Sequence, residues 1–297
     1  MTLAFVHEGA SSVGTALAVS GASIVVVQVA RRRPVLRSAL AQRWLTWVVL
    51  APLWLLAAVW APGRIALLTA FAVISALEYG RLQRTMVTLD RCLLFAWAAV
   101  SVPVVAVLSV DPLVVVAAGV VIGIVTPLAS QDVANGIDRI GGFAIGVVLV
   151  VTPFVLLHEL ATNVSSAVFF ALGLAVAFSD VAAFVFGSAF GRRRFATALS
   201  PNKTIAGLCG NVLGATLAVV VASATGIVGW DIIWMAPVVA VGAIGGDLLI
   251  SLFKRARGVK DAGSWLPGFG GLLDRVDSLL VSTLLVFVVA SLIGMTS

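Results

Sequence analysis

The chain has 297 residues, of which 61% are hydrophobic and 11% charged, and its mean hydropathy is +1.15. Soluble domains carry about 25% charged residues, so this composition excludes an ordinary water-soluble domain and points to a bilayer. A formal charge of +6 does not argue for nucleic-acid binding, which needs a contiguous basic face on a soluble element; here the basic residues punctuate apolar runs.

Residues 1–10 lack the basic stretch and small-residue cleavage site of a signal peptide, so the first apolar run is expected to remain in the mature protein. From there, apolar runs long enough to cross a hydrocarbon core of ~30 Å at ~1.5 Å per residue recur to the end of the chain. The expected spans are 12–30, 44–61, 64–80, 92–109, 112–128, 140–157, 166–187, 206–226, 233–253 and 278–295. The fold expected is therefore all-α, a polytopic integral membrane protein of about ten transmembrane helices. The second and third spans are short and joined by Ala61-Pro62-Gly63, a sequence suited to a tight helical hairpin. Cys92 and Cys209 sit in apolar surroundings without a CxxC or a neighbouring histidine, and are expected to be packing residues.

The basic residues test this count by the positive-inside rule. With ten spans, the loops carrying Arg31 to Arg43, Arg81 to Arg91, Arg139, Arg192 to Lys203 and Lys254 to Arg275 all fall on one side. Together they hold all of the 19 Lys and Arg residues except Arg64. That side is expected to be cytoplasmic, with both termini on the other and a polar catalytic cavity opening to the cytoplasm. The chain also changes character near residue 165. Residues 1–165 read as membrane scaffold helices and 166–297 as the catalytic region, where charged residues enter the spans. No internal repeat with matching motifs is visible, which weakens a transporter reading.

Charged side chains inside a span cost several kcal/mol unless they face a cavity or a partner. Asp180, Asp247 and Glu78 are such residues, each expected near the cytoplasmic end of its helix. Asp247, Ser251 and Lys254 lie at i, i+4 and i+7, so one helix face presents an anion, a hydroxyl and a cation. The following loop carries Arg255, Arg257, Lys260 and Asp261, then Pro267-Gly268-Phe269-Gly270-Gly271, then Asp274, Arg275, Asp277 and Ser278. Pro and paired Gly make a constrained turn that can offer backbone N–H groups to an anion. Oxygen-rich, histidine-poor carboxylate clusters favour hard cations such as Mg²⁺, which bridge to phosphates. A second polar loop holds Ser200-Pro201-Asn202-Lys203-Thr204; here Ser200 is expected to cap a helix with Pro201 in its first turn and Lys203 near its N-terminus.

Read together, residues 251–278 resemble the signature of the phosphatidate cytidylyltransferase (CDP-diacylglycerol synthase) family. That signature places Ser251, Lys254-Arg255, Lys260-Asp261, Pro267-Gly268-x-Gly270-Gly271 and Asp274-Arg275-x-Asp277-Ser278 in this order. Upstream, Ser179-Asp180 with Gly187 and Phe190-Gly191 is similar to one family segment, and Ser200 to Gly207 to another. Leu77-Glu78-Tyr79 matches an early family element. Phe269 stands where the signature has histidine, Ser179 where it has asparagine, Asn202 where it has lysine and Ala206 where it has glutamate.

The resemblance implies transfer of CMP from CTP to phosphatidate, in the cell membrane, with the active site on the cytoplasmic side. It implies Mg²⁺, alone or with a second cation, on Asp247 and Asp274. Lys203, Lys254, Arg255 and Lys260 would hold phosphates; Asp180, Asp261 and Asp277 would complete the polar cavity. Ser200, Thr204, Ser251, Arg275 and Ser278 would contact substrate. Phe269 is expected only to shape the Pro-Gly turn. The implied partners are CTP, phosphatidate and membrane lipids, with no nucleic acid; Gly-punctuated spans are compatible with a homodimer. The alternatives are a paralogue acting on another lipid phosphate, and a non-catalytic or transport protein.

Overall fold

The computed structural model describes residues 50–263 and 270–296, and these are helical almost throughout. A short helix, α1 (Leu50–Val59), is followed by eight helices long and apolar enough to cross a membrane. They are α2 (Ala61–Leu82), α3 (Thr88–Leu108), α4 (Pro112–Ala129), α5 (Gly136–Val164), α6 (Ser166–Phe190), α7 (Ile205–Ala224), α8 (Met235–Arg257, entered through a 3₁₀ turn at Trp230–Ile232) and α9 (Leu273–Leu292). The only β pairing among the described residues is one antiparallel bridge between Arg194 and Thr204.

The last eight expected spans each coincide with one of these helices. The expected span 12–30 lies outside the described residues. Of 44–61, residues 50–61 are described and hold α1, and the part before residue 50 lies outside the described residues. The backbone breaks at Trp60, which is extended, and α2 resumes with Pro62 in its first turn, a position that needs no N–H partner. Cys92 and Cys209 are also corrected: both lie exposed on the outside of the bundle rather than packed within it.

α5 is the centre of the bundle, with 67% of its apolar window buried. It runs from residue 136 to residue 164, beyond the expected span at both ends, and contains two π-helical stretches, Gly146–Val151 and Leu160–Val164. Around it, α6 packs on α7 and α8 on α9 at backbone distance. Gly210 and Gly214 of α7 rest on the carbonyls of Ala182 and Phe178 in α6, and Gly242 and Gly246 of α8 rest on Ser282 and Asp277 in α9; a Cβ at any of the four would collide. The spacing of four in each pair is what puts both glycines on one face.

One end of the bundle is tied by a buried ion pair. Arg139 at the start of α5 grips Asp90 at the start of α3 through Nε (2.8 Å) and Nη2 (2.9 Å), and its Nη1 reaches Asp132 (2.9 Å) and Ser130 (3.0 Å). Thr126 of α4 donates to the same Asp90 carboxylate at 3.0 Å. Arg139 is 3% exposed and Asp90 1%, so Arg139 is not the solvated loop charge that the sequence implied. Removing one partner of such a pair costs about 3–5 kcal/mol. Asp132, in the turn between α4 and α5, is held below the ordinary carboxylate range by the backbone N–H of Asn135 and then by Arg139. Its contribution is present at neutral pH and lost as pH falls through that lowered value.

Candidate active site

Four helices bring their polar residues to this same end. α6 supplies Asp180, α8 supplies Asp247, Ser251 and Lys254, and α9 supplies Asp274, Arg275, Asp277 and Ser278. α2 supplies Glu78. The connections 191–204 and 258–272, both at this end, complete the set. Every described Lys and Arg except Arg64 lies at this end, while the far-end connections are as short as the single residue Ser165 between α5 and α6.

Two lysine–aspartate pairs form the middle of the site. Lys203 pairs with Asp247, whose other oxygen accepts a long 3.4 Å hydrogen bond from Ser251. Lys254 pairs with Asp274 at 2.5 Å. The first pair is open, its side chains 25% and 33% exposed; the second is deeper, at 13% and 9%. The helix periodicity predicted that Asp247, Ser251 and Lys254 share a face. What it did not reveal is that Lys254 turns to α9 while Asp247 takes its cation from the α6–α7 connection, 44 residues away.

Asp274 also organises the loop before it. Its second oxygen accepts the backbone N–H groups of Ala262 (2.8 Å) and Gly271 (3.2 Å). The bond to Gly271 is a local reach-back by an acidic residue in the first turn of α9, three residues after its donor. Ser278 donates to Asp180 at 3.0 Å and its backbone N–H donates to Asp277 at 2.8 Å. The carboxylates of Asp180, Asp247 and Asp277 lie within electrostatic reach of one another.

The second polar loop folds differently from expectation. α7 begins at Ile205, and its cap is Thr204, whose hydroxyl accepts the Gly207 N–H at 3.1 Å. Ser200 instead turns the chain, its carbonyl accepting the Lys203 N–H at 3.2 Å, and Pro201 lies outside the helix. Backbone bonds from Phe195 to Lys203 and from Ile205 to Arg193 close the loop and aim Lys203 at Asp247. Arg255, exposed, reaches across to this loop and donates to the Leu199 carbonyl at 3.2 Å. Lys260 and Asp261 lie exposed on the loop after α8. Phe269 and its neighbours 264–268 lie outside the described residues. An open cleft of about 380 Å³ lined by Ser188 to Arg192 sits beside this loop; it does not include the carboxylates.

No group of three His, Cys, Asp or Glu side chains is arranged as a metal cage among the described residues. The donors present nonetheless fit Mg²⁺. All are hard oxygens, and Mg²⁺ is usually held by one or two carboxylates, waters and substrate phosphates rather than by an all-protein cage.

Fold and site together define a multi-pass membrane protein with a polar carboxylate and lysine centre at one end of a helical bundle. The chain belongs to the cytidylyltransferase family, whose model matches residues 41–293. It is similar to the phosphatidate cytidylyltransferase of Chlamydia trachomatis serovar D, 41% identical over 37% of this chain and 39% of that protein. A phosphatidate cytidylyltransferase of Mycobacterium leprae is 35% identical over 42% and 40%. An uncharacterized protein of Escherichia coli, YnbB, is 36% identical over 34% and 35%. The chain thus spans about two fifths or less of the length of these relatives.

Proposed function

We propose that the protein transfers CMP from CTP to phosphatidate. A phosphate oxygen of phosphatidate attacks the α-phosphorus of CTP, the bond from that phosphorus to the bridging oxygen breaks, and CDP-diacylglycerol and pyrophosphate are formed. The observation that carries this reading is the convergence of Lys203, Asp247, Lys254, Asp274, Asp180, Asp277 and Ser278 from separate helices onto one end of an apolar bundle. Such a site meets a water-soluble, polyanionic nucleotide and a lipid phosphate at the same level.

Lys203 and Lys254 present ammonium groups to phosphate oxygens, each oriented by the aspartate it pairs with. Arg255 and Lys260 extend the positive surface outward, where the triphosphate arrives. Asp180, held by Ser278, and Asp277 keep the centre polar beside Asp247. Mg²⁺ on Asp247 and Asp274 would offset charge on the transferring phosphoryl group. No covalent enzyme intermediate is needed. The site end faces the cytoplasm, the location of CTP, because it gathers the basic residues, and α9 runs from it to the opposite side.

The test is pyrophosphate release by purified protein in detergent. Release from CTP should require phosphatidate, and Asp247→Asn or Asp274→Asn should lower it by more than about tenfold, or ~1.4 kcal/mol of barrier. Turnover by either variant above a tenth of wild type would overturn the assigned roles. Lipid flux without CTP consumption would favour transport.

A further inference from the structure

Glu78 belongs to the first half of the chain, yet its contacts are with the signature loop. It is fully buried in α2, and no lysine or arginine pairs with it among the described residues. Its two oxygens are used separately: one accepts the Leu272 N–H at 3.0 Å, the other the Leu273 N–H at 2.7 Å. These are the first N–H groups of α9, a helix that begins on leucine and has no side-chain cap of its own. A helix start leaves such donors without partners, and a carboxylate there also suits the helix dipole.

The same carboxylate bears on both flanks of residues 264–269. A Cβ at Gly263 would fall 2.5 Å from one oxygen, and a Cβ at Gly271 would strike the other. One residue further on, Asp274 takes the Ala262 and Gly271 N–H groups and the Lys254 ammonium. The neighbouring side chain on α2 makes the same crossing: the Tyr79 ring meets Phe253, next to Lys254, at 5.4 Å edge to face.

We infer that Glu78 is a positioning residue of the transfer site, fixing the start of α9 and with it Asp274, Asp277 and Ser278 against α6 and α8. This rests on the reading of this end as the site of transfer. Glu78 touches no reacting group; it acts through the Leu272 and Leu273 amides and by excluding side chains at 263 and 271. Displacement of a reacting or orienting group by about 1 Å can cost ~10²-fold in rate.

Glu78→Gln preserves volume but offers one acceptor and turns an NH₂ group toward the other donor. Amide hydrogen exchange of the full-length protein in detergent should then rise in peptides covering 271–276 and stay unchanged in α5, while kcat for CTP-dependent transfer falls at least tenfold. Gly271→Ala approaches the same contact from the other side and serves if Glu78→Gln does not fold; it should give the same local exchange and the same fall. In the double variant the two losses should not multiply. Unchanged exchange at 271–276, wild-type kcat despite faster local exchange, fully multiplicative losses, or exchange raised throughout the bundle would each overturn the inference. A wild-type protein that shows the local exchange response but never turns over CTP would overturn the transferase reading and leave the tie between Glu78 and α9 standing.

Discussion

Lys254 and Lys203 each orient on an aspartate, but the two aspartates differ in what else they hold. Asp247 retains one oxygen with only a long bond from Ser251, whereas Asp274 has both oxygens engaged by Lys254 and by two backbone amides. Asp274→Asn should therefore disturb the 258–272 connection as well as the chemistry. Phe269 presents a separate test at this scale. If the side chain at 269 only fills the turn, Phe269→His changes kcat by less than about tenfold, ~1.4 kcal/mol, with an unchanged pH profile. A gain of about 10², typical of a positioned acid or base, with a new limb near pH 6.5 where imidazole titrates, would show that the family histidine moves a proton. Residue types were legible in the sequence at these positions; partners were not. Lys203 and Asp247 stand 44 residues apart and Glu78 and Leu272 194 apart, and such separations leave no periodic trace within one helix.

The helices themselves were legible because a bilayer demands long apolar runs, and charge ends them. α4 and α6 match their expected starts to the residue. The end of α5 was underestimated because its last turns hold His158, Glu159, Thr162 and Asn163, polar residues that read as loop but continue the helix, the last two in π form. The span of α7 was placed within a residue of its start, but its cap was misassigned to Ser200 because Ser-Pro is a strong start signal, while Thr204 satisfies the Gly207 N–H instead. Glycine spacing carried more than was taken from it. Gly242 and Gly246 set how closely α8 lies on α9, so Gly246→Ala must push its Cβ against the Asp277 carbonyl. Overpacking of this kind costs about 1–3 kcal/mol, and the thermal midpoint in detergent should fall accordingly. CTP turnover should fall further than the folded fraction does, since Asp247 and Asp277 flank the contact. Normal midpoint and turnover would mean that the two helices can separate freely.

At the scale of the whole molecule, the clustering of basic residues at one end makes sidedness a measurable property. Val133, in the turn between α4 and α5, is 97% exposed, and Thr225 is exposed at the opposite end. With Cys92 and Cys209 replaced, Val133→Cys should react with a membrane-impermeant maleimide only in inverted vesicles, and Thr225→Cys only in right-side-out ones. The reverse pattern would put the site outside the cytoplasm.

The cap that Glu78 places on α9 also sets a timetable. Its donors lie 194 and 195 residues downstream, so at a synthesis rate of ~5–20 residues per second α2 waits roughly 10–40 s for them. During that interval the Glu78 carboxyl keeps water, a temporary donor or a proton, because a desolvated, unpaired anion costs too much to persist. The final partners of Glu78 are available only after the start of α9 has been made. The first and last described long helices lock together as one late event, and a chain cut between them must find its other piece before either can finish.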